Sequence, residues 1–422
     1  VRGDRGGGEM VRWGAQNGRE PKDIVPYGRS NDFAHVGAEV RAVRDGVGVT
    51  EIANFAKYEV SGSGSEDFLN RLMTNRMPKT GRIVLTPMLN EFGKLIGDFT
   101  IAKTGEDRFM IWGSSAAQKY HMRWFEQHQP KDGSVHIHRF DQTLVGLSIA
   151  GPRSQALLQK LVDEDVSTAS FKFMNHRAMA VGGAPCMVNR VTYTGDLGYE
   201  IWMAPAYQRK VYAAIKEAGE EFGIVDFGMR ALLSMRLEKN FPTWFRELRP
   251  IYGPFEGSME RFIRLDKNDF IGRDAAAREK ADGQKLRRVS FIVDADDADV
   301  MGDEPIWAKV SKDYGTVAPS HGHGAKRYGH DGKPARSDGK RVGTDGSGVL
   351  GAVDGEWRVV GWITSGGYAH YVRKSMAQGY LPSELAGNES EGMFEIEILG
   401  HRRPARINLL PPFDPAGEKM RG

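Results

Sequence analysis

The stretch TPMLNEFGKLIGDFTIAK, residues 86–103, contains two short apolar runs separated by a turn-like Asn-Glu-Phe-Gly segment, which predicts two successive strands. Asp98 is the unusual residue here, because it stands among Ile96, Phe99 and Ile101 in the second run. Such a carboxylate either is solvated or caps a turn at the start of a strand, or it is kept in an apolar strand for chemistry. The stretch alone does not distinguish these roles, so the surrounding chain has to.

Outward from this stretch, helical and strand-like patterns alternate irregularly. Residues 64–78 predict a helix with Ser65 as its N-cap, and residues 206–223 predict an amphipathic helix. Residues 186–203 predict a hairpin-like pair of strands around Gly195. The order lacks a regular βαβ repeat, so we predict an α+β fold and not a doubly wound α/β sheet.

Three regions of different composition are expected along the 422 residues. Residues 1–33 are rich in Gly and charge and predict a flexible N-terminal lead, and residues 34–284 mix helices and strands. Residues 285–422 predict a small β-barrel domain, because they contain the strand-like runs LRRVSFIV, WRVVGWITSGG and MFEIEILGHRRPARI. Within the barrel, residues 311–356 are dense in Gly, Asp, Lys and Ser and predict a flexible insertion.

Overall composition excludes several classes of function. The 58 Lys+Arg against 55 Asp+Glu do not indicate nucleic-acid binding, which needs a strongly basic face. No run approaches the roughly 20 apolar residues of a membrane span, and the N-terminus VRGDRGGGEMVRWG has no apolar signal core. The single Cys186 excludes an internal disulfide and fits a reducing compartment. We therefore predict a cytoplasmic protein.

Several common site motifs are absent from the sequence. There is no G-x-G-x-x-G for FAD or NAD, no G-x-x-x-x-G-K-[ST], no H-E-x-x-H and no G-x-S-x-G. The run SHGHGAKRYGH contains His321, His323 and His330, but its Gly-rich surroundings offer no rigid frame or carboxylate partner. We expect no metal site there.

Two further segments stand out besides the Asp98 strand. In YTGDLGYEIW, residues 193–202, Glu200 lies in an apolar run that reads as a strand. Either this glutamate faces solvent, or it points inward and needs donor partners, because an unpaired buried charge is costly. The other segment, GMRALLSMRLEKNFPTWFRELRP at residues 228–250, predicts a helix that carries Arg230.

The order of these segments and their residue patterns resemble the T-protein (aminomethyltransferase) of the glycine cleavage system. They resemble more closely the folate-binding C-terminal half of dimethylglycine and sarcosine dehydrogenases. The resemblance runs from about residue 36 to the C-terminus. The matching pieces, in family order, are VGVTEIANFAKYEVSG, TPMLNEFGKLIGDFTI, GLSIAGPRS, YTGDLGYEIW, RLEKNFPTWFRELRP, LDKNDFIGRDA, GWITSGGYAHYVRKSMAQGYLP and PPFDPAGEKMRG.

The resemblance implies a three-domain fold that holds tetrahydrofolate in a central funnel. Glu200 occupies the position of the family's pteridine-binding glutamate, and a carboxylate suits the N–H groups along one pteridine edge. The resemblance places Phe55, next to Asn54, at a position where T-proteins commonly carry Met. Tyr193 is expected on the Glu200 strand and Trp112 on the strand of RFMIWG, and both are candidate ring walls. For each aromatic residue, ordinary core packing is the alternative.

The resemblance also gives Asp98 a role, because it matches the family's essential aspartate. A carboxylate near folate N10 could position the amine, move its proton or stabilise developing positive charge. Arg230 is the first candidate for binding the carboxylates of the folate tail. It lies near, but not at, the arginine position of T-proteins, where this chain has Leu232, and this departure points away from a true T-protein.

The leading functional prediction is a tetrahydrofolate-dependent one-carbon transferase. It would accept the carbon from demethylation of an N-methyl amine of the dimethylglycine or sarcosine type and form 5,10-methylenetetrahydrofolate. The resemblance implies that amine oxidation needs an FAD domain, and this chain carries no Rossmann fingerprint. An FAD-containing amine dehydrogenase domain or subunit is therefore an expected partner, besides the small-molecule donor. This holds whether the chain is a fragment of a longer flavoprotein or a separate subunit.

Three alternatives remain open. The first is the glycine cleavage T-protein itself, against which the segment PTWFRELRP stands. The second is a folate-dependent O- or S-demethylase of the same fold, which would transfer methyl and yield 5-methyltetrahydrofolate. The third is a non-catalytic folate-binding protein of the iron–sulfur assembly type, whose K-G-C-Y motif is absent here.

Overall fold

The computed structural model describes residues 2–5, 8–14, 22–24, 26–267, 269–310, 353–354, 356–387 and 392–422. Most of the predicted insertion at 311–356, with its three histidines, therefore lies outside the described residues. Within those ranges the helices are α1 (Phe33–Asp45), α2 (Ser65–Leu72), α3 (Gln118–His128), α4 (Ser154–Gln159), α5 (Pro205–Gly219), α6 (Met229–Glu238), α7 (Arg273–Asp282) and α8 (Glu418–Arg421).

A six-stranded sheet carries the Glu200 segment. In spatial order its strands are β10 (His176–Val181), β11 (Ala184–Asn189), β12 (Gly198–Met203), β9 (Val145–Ala150), β3 (Gly48–Glu51) and β13 (Val225–Asp226). The predicted strand pair around Gly195 is confirmed as β11 and β12. Gly195 has a φ of 81°, and a Cβ there would meet the Lys239 side chain, so glycine is required at this turn. Helices α4 and α5 contribute Leu157 and Ile215 to the core on one side of this sheet.

A five-stranded sheet carries the Asp98 segment. In spatial order its strands are β5 (Ile83–Leu89), β6 (Leu95–Gly105), β7 (Arg108–Gly113), β4 (Ala56–Ser61) and β8 (His136–Arg139). The two strands predicted from residues 86–103 are confirmed as the antiparallel pair β5 and β6. Their turn is fixed by Asn90, whose Oδ1 accepts the backbone N–H of Lys94 at 2.9 Å, and by Gly93, which has a φ of 73°.

The helix predicted after residue 64 forms, but its start was predicted wrongly. Helix α2 begins at Ser65 itself, and Gly64 occupies the N-cap. The Ser65 hydroxyl is buried without a hydrogen-bond partner, so it caps nothing. The helix is held instead by Phe68, Leu69 and Leu72, which pack into the apolar core of the five-stranded sheet.

The C-terminal region is a closed barrel, as the strand-like runs predict. Its strands are β14 (Leu286–Val293), β15 (Pro305–Lys309), β16 (Val353–Asp354), β17 (Trp357–Ala369), β18 (Lys374–Pro382), β19 (Phe394–Ile398) and β20 (His401–Ile407). They pair in the order β15, β19, β20, β14, β18 and β17, and β17 pairs back with β15. The short strand β16 pairs with the start of β17.

The five-stranded and six-stranded sheets meet through an apolar cluster. Cross-strand pairing of Thr100 with Trp112 puts Asp98 and Trp112 on the same face of the five-stranded sheet, because side chains alternate along a strand. By the same alternation, Glu200 and Trp202 share one face of the six-stranded sheet. Trp112 and Trp202 belong to one buried cluster. The Asp98 face and the Glu200 face are therefore turned toward each other.

Part of the N-terminal segment packs against the body of the chain. Strands β1 (Arg2–Arg5) and β2 (Gly8–Val11) form a hairpin, and Trp13 after it is 1% exposed in a cluster with residues of α1 and α6. Its indole Nε1 donates to Asp23 at 2.7 Å. This packing differs from the loosely held lead that the sequence predicts for residues 1–33.

Candidate functional site

Glu200 is the central polar residue of the face that the six-stranded sheet turns toward its neighbour. It lies in β12 directly opposite Asn189 of β11 and Ser148 of β9, and it is half-buried. Burial raises the pKa of Glu200 to about 7, although the side-chain N–H groups of Trp202 and Asn189 lower it in part. Close to neutral pH, this carboxyl group can therefore gain or lose its proton easily.

The donors beside Glu200 are otherwise unused. Asn189 Nδ2 and Trp202 Nε1 are buried, and neither has a hydrogen-bond partner of normal geometry among the described residues. Both lie close enough to the carboxylate to affect its pKa. A buried N–H group without a partner is uncommon in folded proteins and costs free energy. The cluster around Glu200 thus has unsatisfied hydrogen-bonding capacity that a polar ligand could use.

Aromatic rings form the wall between the two sheets. The Trp112 and Trp202 rings lie 5.7 Å apart at 35°, and Phe55 meets Trp202 edge-on at 6.3 Å. The indole Nε1 of Trp112 is also buried, with no hydrogen-bond partner in the described part of the chain. The structure therefore brings the predicted residues Phe55, Trp112 and Glu200 together, with Trp202 between them.

Asp98 lies in β6, opposite Pro87 of β5, and is half-buried. Burial raises the pKa of Asp98 to about 6, an effect that its own backbone N–H partly offsets. No other side chain in the described part of the chain forms a hydrogen bond with its carboxylate. The solvated or turn-capping role is therefore not what the structure shows: Asp98 lies inside a strand, partly shielded from water, and no side chain of the described residues donates to it.

Tyr193 is a neighbour of Asp98. Burial raises the pKa of Tyr193 to about 12, and the charge of Asp98 acts in the same direction. The Tyr193 hydroxyl donates to the Pro242 carbonyl and lies 2.9 Å from Thr243 Oγ1, while its ring stacks on Phe241 at 6.0 Å. The prediction that Tyr193 lies on the Glu200 strand is wrong, because β12 begins at Gly198 and Tyr193 belongs to the turn before it. Its role as a ring wall stays a prediction.

Behind Tyr193 lies a buried ion pair that joins helix α6 to the barrel. Arg236 Nη1 is 3.2 Å from Glu247, and Arg236 Nη2 donates to Ser365 Oγ of β17 at 2.7 Å. The same Glu247 accepts the Thr364 hydroxyl at 2.8 Å. Removing one partner of such a pair leaves an uncompensated buried charge, so the network fixes the barrel against the Tyr193 side of the site.

Among the residues that the structure describes, no hydrogen bond, ion pair or ring contact joins Asn54 or Arg230 to this cluster. Asn54 is half-buried in the turn between β3 and β4. Arg230 forms ion pairs with Asp32 and with Asp23, the latter at 3.2 Å, and both acids come from the N-terminal segment. The predicted role of Arg230 in holding a folate tail stays a prediction, and these ion pairs have to break before the guanidinium can take it up.

Four residues of the cluster were missed by the sequence reasoning. Asn189 and His176 are placed beside Glu200 by the pairing register of the strands, which cannot be read from the sequence. Trp202 had a signal, because it is two residues beyond Glu200 in the same strand and therefore shares its face. Lys57 of β4 is the cross-strand partner of Trp112 and is fully buried. Its Nζ lies 5.8 Å from the centroid of the Trp202 ring.

The residues present fit a pteridine ring. Glu200 offers two acceptor oxygens to the ring's N–H edge, and the Trp112 N–H, which has no hydrogen-bond partner among the described residues, is available to the ring's acceptor atoms. The indole rings offer flat apolar surface. Among the described residues, no group of His, Cys, Asp and Glu has the arrangement of a metal site, and no helix is long and apolar enough to cross a membrane.

Two domain families match the chain. Residues 5–267 match the GCVT N-terminal domain, and residues 323–414 match the glycine cleavage T-protein C-terminal barrel domain. The chain therefore belongs to the glycine cleavage T-protein family of folate-dependent aminomethyltransferases. The predicted resemblance and the predicted α+β fold with a C-terminal barrel are confirmed.

The chain is similar to several particular members of this family. The chain is 31% identical over 407 residues to mitochondrial dimethylglycine dehydrogenase of Mus musculus, a match that covers 96% of this chain but 41% of that protein. It is 30% identical over 271 residues to an aminomethyltransferase of Thermoanaerobacter sp. (strain X514), covering 64% of this chain and 73% of that one. The crystal structure of glycine cleavage system aminomethyltransferase T from Bartonella henselae has the same fold, with a TM-score of 0.73 at 17% identity over 98% of this chain and 94% of that one.

Proposed function

We propose that the chain is a tetrahydrofolate-dependent one-carbon transferase. It accepts the carbon released when an N-methyl amine of the dimethylglycine or sarcosine type is oxidatively demethylated, and it forms 5,10-methylenetetrahydrofolate. One observation carries the proposal: two half-buried carboxylates, Asp98 and Glu200, have raised pKa values and stand on sheet faces turned toward each other. The likeness to dimethylglycine dehydrogenase supports the choice of donor.

Glu200 binds the pteridine in this proposal. As a carboxylate it accepts two parallel hydrogen bonds from the N–H groups along one pteridine edge, and charge-assisted bonds of this kind are the strong ones. Trp112 and Trp202 hold the ring plane and exclude water from those bonds, which strengthens them. The N–H donor of Trp112, which has no partner among the described residues, fixes the ring's orientation.

Asp98 acts on the reacting nitrogens. Bound tetrahydrofolate supplies the amine nitrogens N5 and N10 that take up the one-carbon unit. With a pKa of about 6, Asp98 is mostly ionised at neutral pH yet basic enough for its carboxylate oxygen to accept a proton from an amine. Its negative charge also stabilises positive charge that develops nearby, and this stabilisation is strong because the site is partly shielded from water.

The oxidation that releases the carbon belongs to a flavin-containing amine dehydrogenase domain or subunit. This chain spans about two fifths of the mouse relative that it matches, and its sequence has no Rossmann fingerprint for FAD. The proposed division of labour is that the flavin partner oxidises the N-methyl amine, and this chain captures the carbon on folate before it escapes as free formaldehyde.

The recognition step can be tested by calorimetry with tetrahydrofolate at pH 8 under reducing, anaerobic conditions. Glu200→Gln replaces one acceptor oxygen by a donor that faces donors. We expect it to weaken binding by about 1.5–3 kcal/mol, the range for hydrogen bonds to charged groups. The matched control is Glu217→Gln, which changes an exposed glutamate on α5. Equal affinity for the wild type and Glu200→Gln would remove Glu200 from the site.

The glycine cleavage T-protein reaction is the second candidate, favoured by the match to the Thermoanaerobacter aminomethyltransferase. The two candidates differ in the donor of the carbon. A T-protein takes it from an aminomethylated lipoyl carrier, whereas the first candidate takes it from an oxidised N-methyl amine. A folate-dependent O- or S-demethylase differs again, because its product is 5-methyltetrahydrofolate. Assays with each donor, followed by identification of the folate product, distinguish all three.

A further inference from the structure

Three side chains stand side by side on neighbouring strands of the six-stranded sheet. The register pairs His176 of β10 with Asn189 of β11, and Asn189 with Glu200 of β12. Partners in an antiparallel pair point to the same face and lie within contact distance. His176, Asn189 and Glu200 therefore form a row across the sheet that ends at the carboxylate.

The hydrogen bond in this row fixes how the Asn189 amide is turned. His176 Nδ1 lies 2.8 Å from Asn189 Oδ1, so the imidazole nitrogen donates and the amide oxygen accepts. The amide nitrogen is then on the opposite side, toward Glu200. It has no other partner in the described part of the chain, and it lowers the pKa of Glu200.

We propose that His176 and Asn189 are positioning residues for Glu200: the imidazole orients the Asn189 amide so that its N–H faces the Glu200 carboxylate and keeps it ionised. This inference rests on the proposed function for its purpose, because only an ionised Glu200 presents acceptors alone to the pteridine N–H edge. A protonated carboxyl carries an O–H donor that opposes the donors of the ring.

The hydrogen bond between His176 and Asn189 matters because burial favours the protonated form of Glu200. Burial raises the pKa of Glu200 to about 7, so a small loss of donor support suffices to protonate it at neutral pH. Burial lowers the pKa of His176, which keeps the ring neutral and able to act as a simple donor. Without the imidazole, the amide is free to turn its oxygen toward Glu200, and a lone pair facing a carboxylate favours protonation.

The other groups around Glu200 are few. Ser148 of β9 stands opposite it, and Trp202 supplies the second N–H that lowers its pKa. From the facing sheet come Trp112 and the buried ammonium of Lys57, the latter against the Trp202 ring. No charged side chain of the described residues contributes to the pKa of Glu200, so burial raises this pKa and the two N–H donors are what lowers it.

The test measures the pKa of Glu200 directly, in the ligand-free full chain. The ¹³C signal of its carboxyl, assigned by its loss in Glu200→Gln, is titrated from pH 5 to 9. We expect Asn189→Leu and His176→Leu each to raise the midpoint by about one pH unit, the size of one hydrogen bond to a charged group. His176→Gln retains an N–H donor and should restore a midpoint near that of the wild type. The control is His138→Leu, which changes an exposed histidine of β8.

Calorimetry with tetrahydrofolate gives the second readout. For Asn189→Leu, affinity should fall about fivefold relative to the wild type at pH 7, because the ionised fraction of Glu200 falls from about one half to about one eleventh. It should recover most of that loss at pH 9, where Glu200 is mostly ionised in both proteins. A folded Asn189→Leu or His176→Leu protein with an unchanged Glu200 midpoint overturns the inference. If the midpoints move as expected but even the wild type does not bind tetrahydrofolate, the proposed function fails while the positioning role stands.

Discussion

Replacing Glu200 by glutamine should stabilise the ligand-free protein, and the gain should depend on pH. In the folded state Glu200 has a pKa of about 7, against an ordinary value of 4.5. Between these two values the folded protein binds the proton more tightly than the unfolded chain does. Stability therefore falls as the pH rises through this range, and the full penalty is present above about pH 7.

The size of the effect follows from the pKa. The difference of about 2.5 from the ordinary value, at about 1.36 kcal/mol for each pH unit, corresponds to about 3 kcal/mol. Glu200 is half-buried, so some screening by water remains and about 1–3 kcal/mol is the expected gain. At pH 4 the gain should vanish, because glutamate is then protonated in both states.

Urea unfolding of the wild type and Glu200→Gln at pH 4, 5.5, 7 and 8 measures this gain. Since the linear extrapolation compares free energies at each pH, the expected signature is a difference that grows from pH 4 to 7 and then levels off. Glu217→Gln, on the exposed side of α5, should match the wild type throughout. A constant difference between pH 4 and 8, or a destabilised variant at pH 8, would refute the reasoning.

Three further predictions concern single side chains. Asp98→Asn should bind tetrahydrofolate about normally but turn over about 10²–10⁴-fold more slowly in a flavoprotein-coupled assay; wild-type turnover would return Asp98 to a structural role. Tyr193→Phe loses its hydrogen bonds to Pro242 and Thr243 and should cost about 0.5–1.5 kcal/mol in urea unfolding; an unchanged midpoint would mean that these bonds add nothing. Burial lowers the pKa of Lys57 to about 8, so the gain in stability of Lys57→Met over the wild type should shrink from pH 8 to 10; a gain that grows with pH would contradict this.

The strands of the candidate site could be predicted from sequence, because their signals are local. The apolar runs on either side of Asn90 and Gly93 specify β5 and β6, and the glycine at 195 specifies the turn before β12. Asp98 and Glu200 could be singled out because a carboxylate in an apolar strand needs an explanation. These predictions depend on residues next to each other in the chain.

What the sequence could not supply depends on contacts between distant residues. Asn189 and His176 join Glu200 through strand register, and register is set by packing of the whole sheet. Trp13 gave no signal in its Gly-rich surroundings, since its partners in α1 and α6 follow much later in the chain. For the same reason, the acids that engage Arg230 could not be foreseen from the helix that carries it.

The central claim is that tetrahydrofolate binds between the two sheets, with the pteridine on Glu200 and the reacting nitrogens near Asp98. The most direct test is a crystal structure of the chain with tetrahydrofolate bound. The account predicts that the pteridine lies against Trp112 and Trp202, its N–H edge hydrogen-bonded to Glu200 and its N10 side turned toward Asp98. Folate bound at another place, or in this place with the Glu200 carboxylate turned away from the ring, would contradict it.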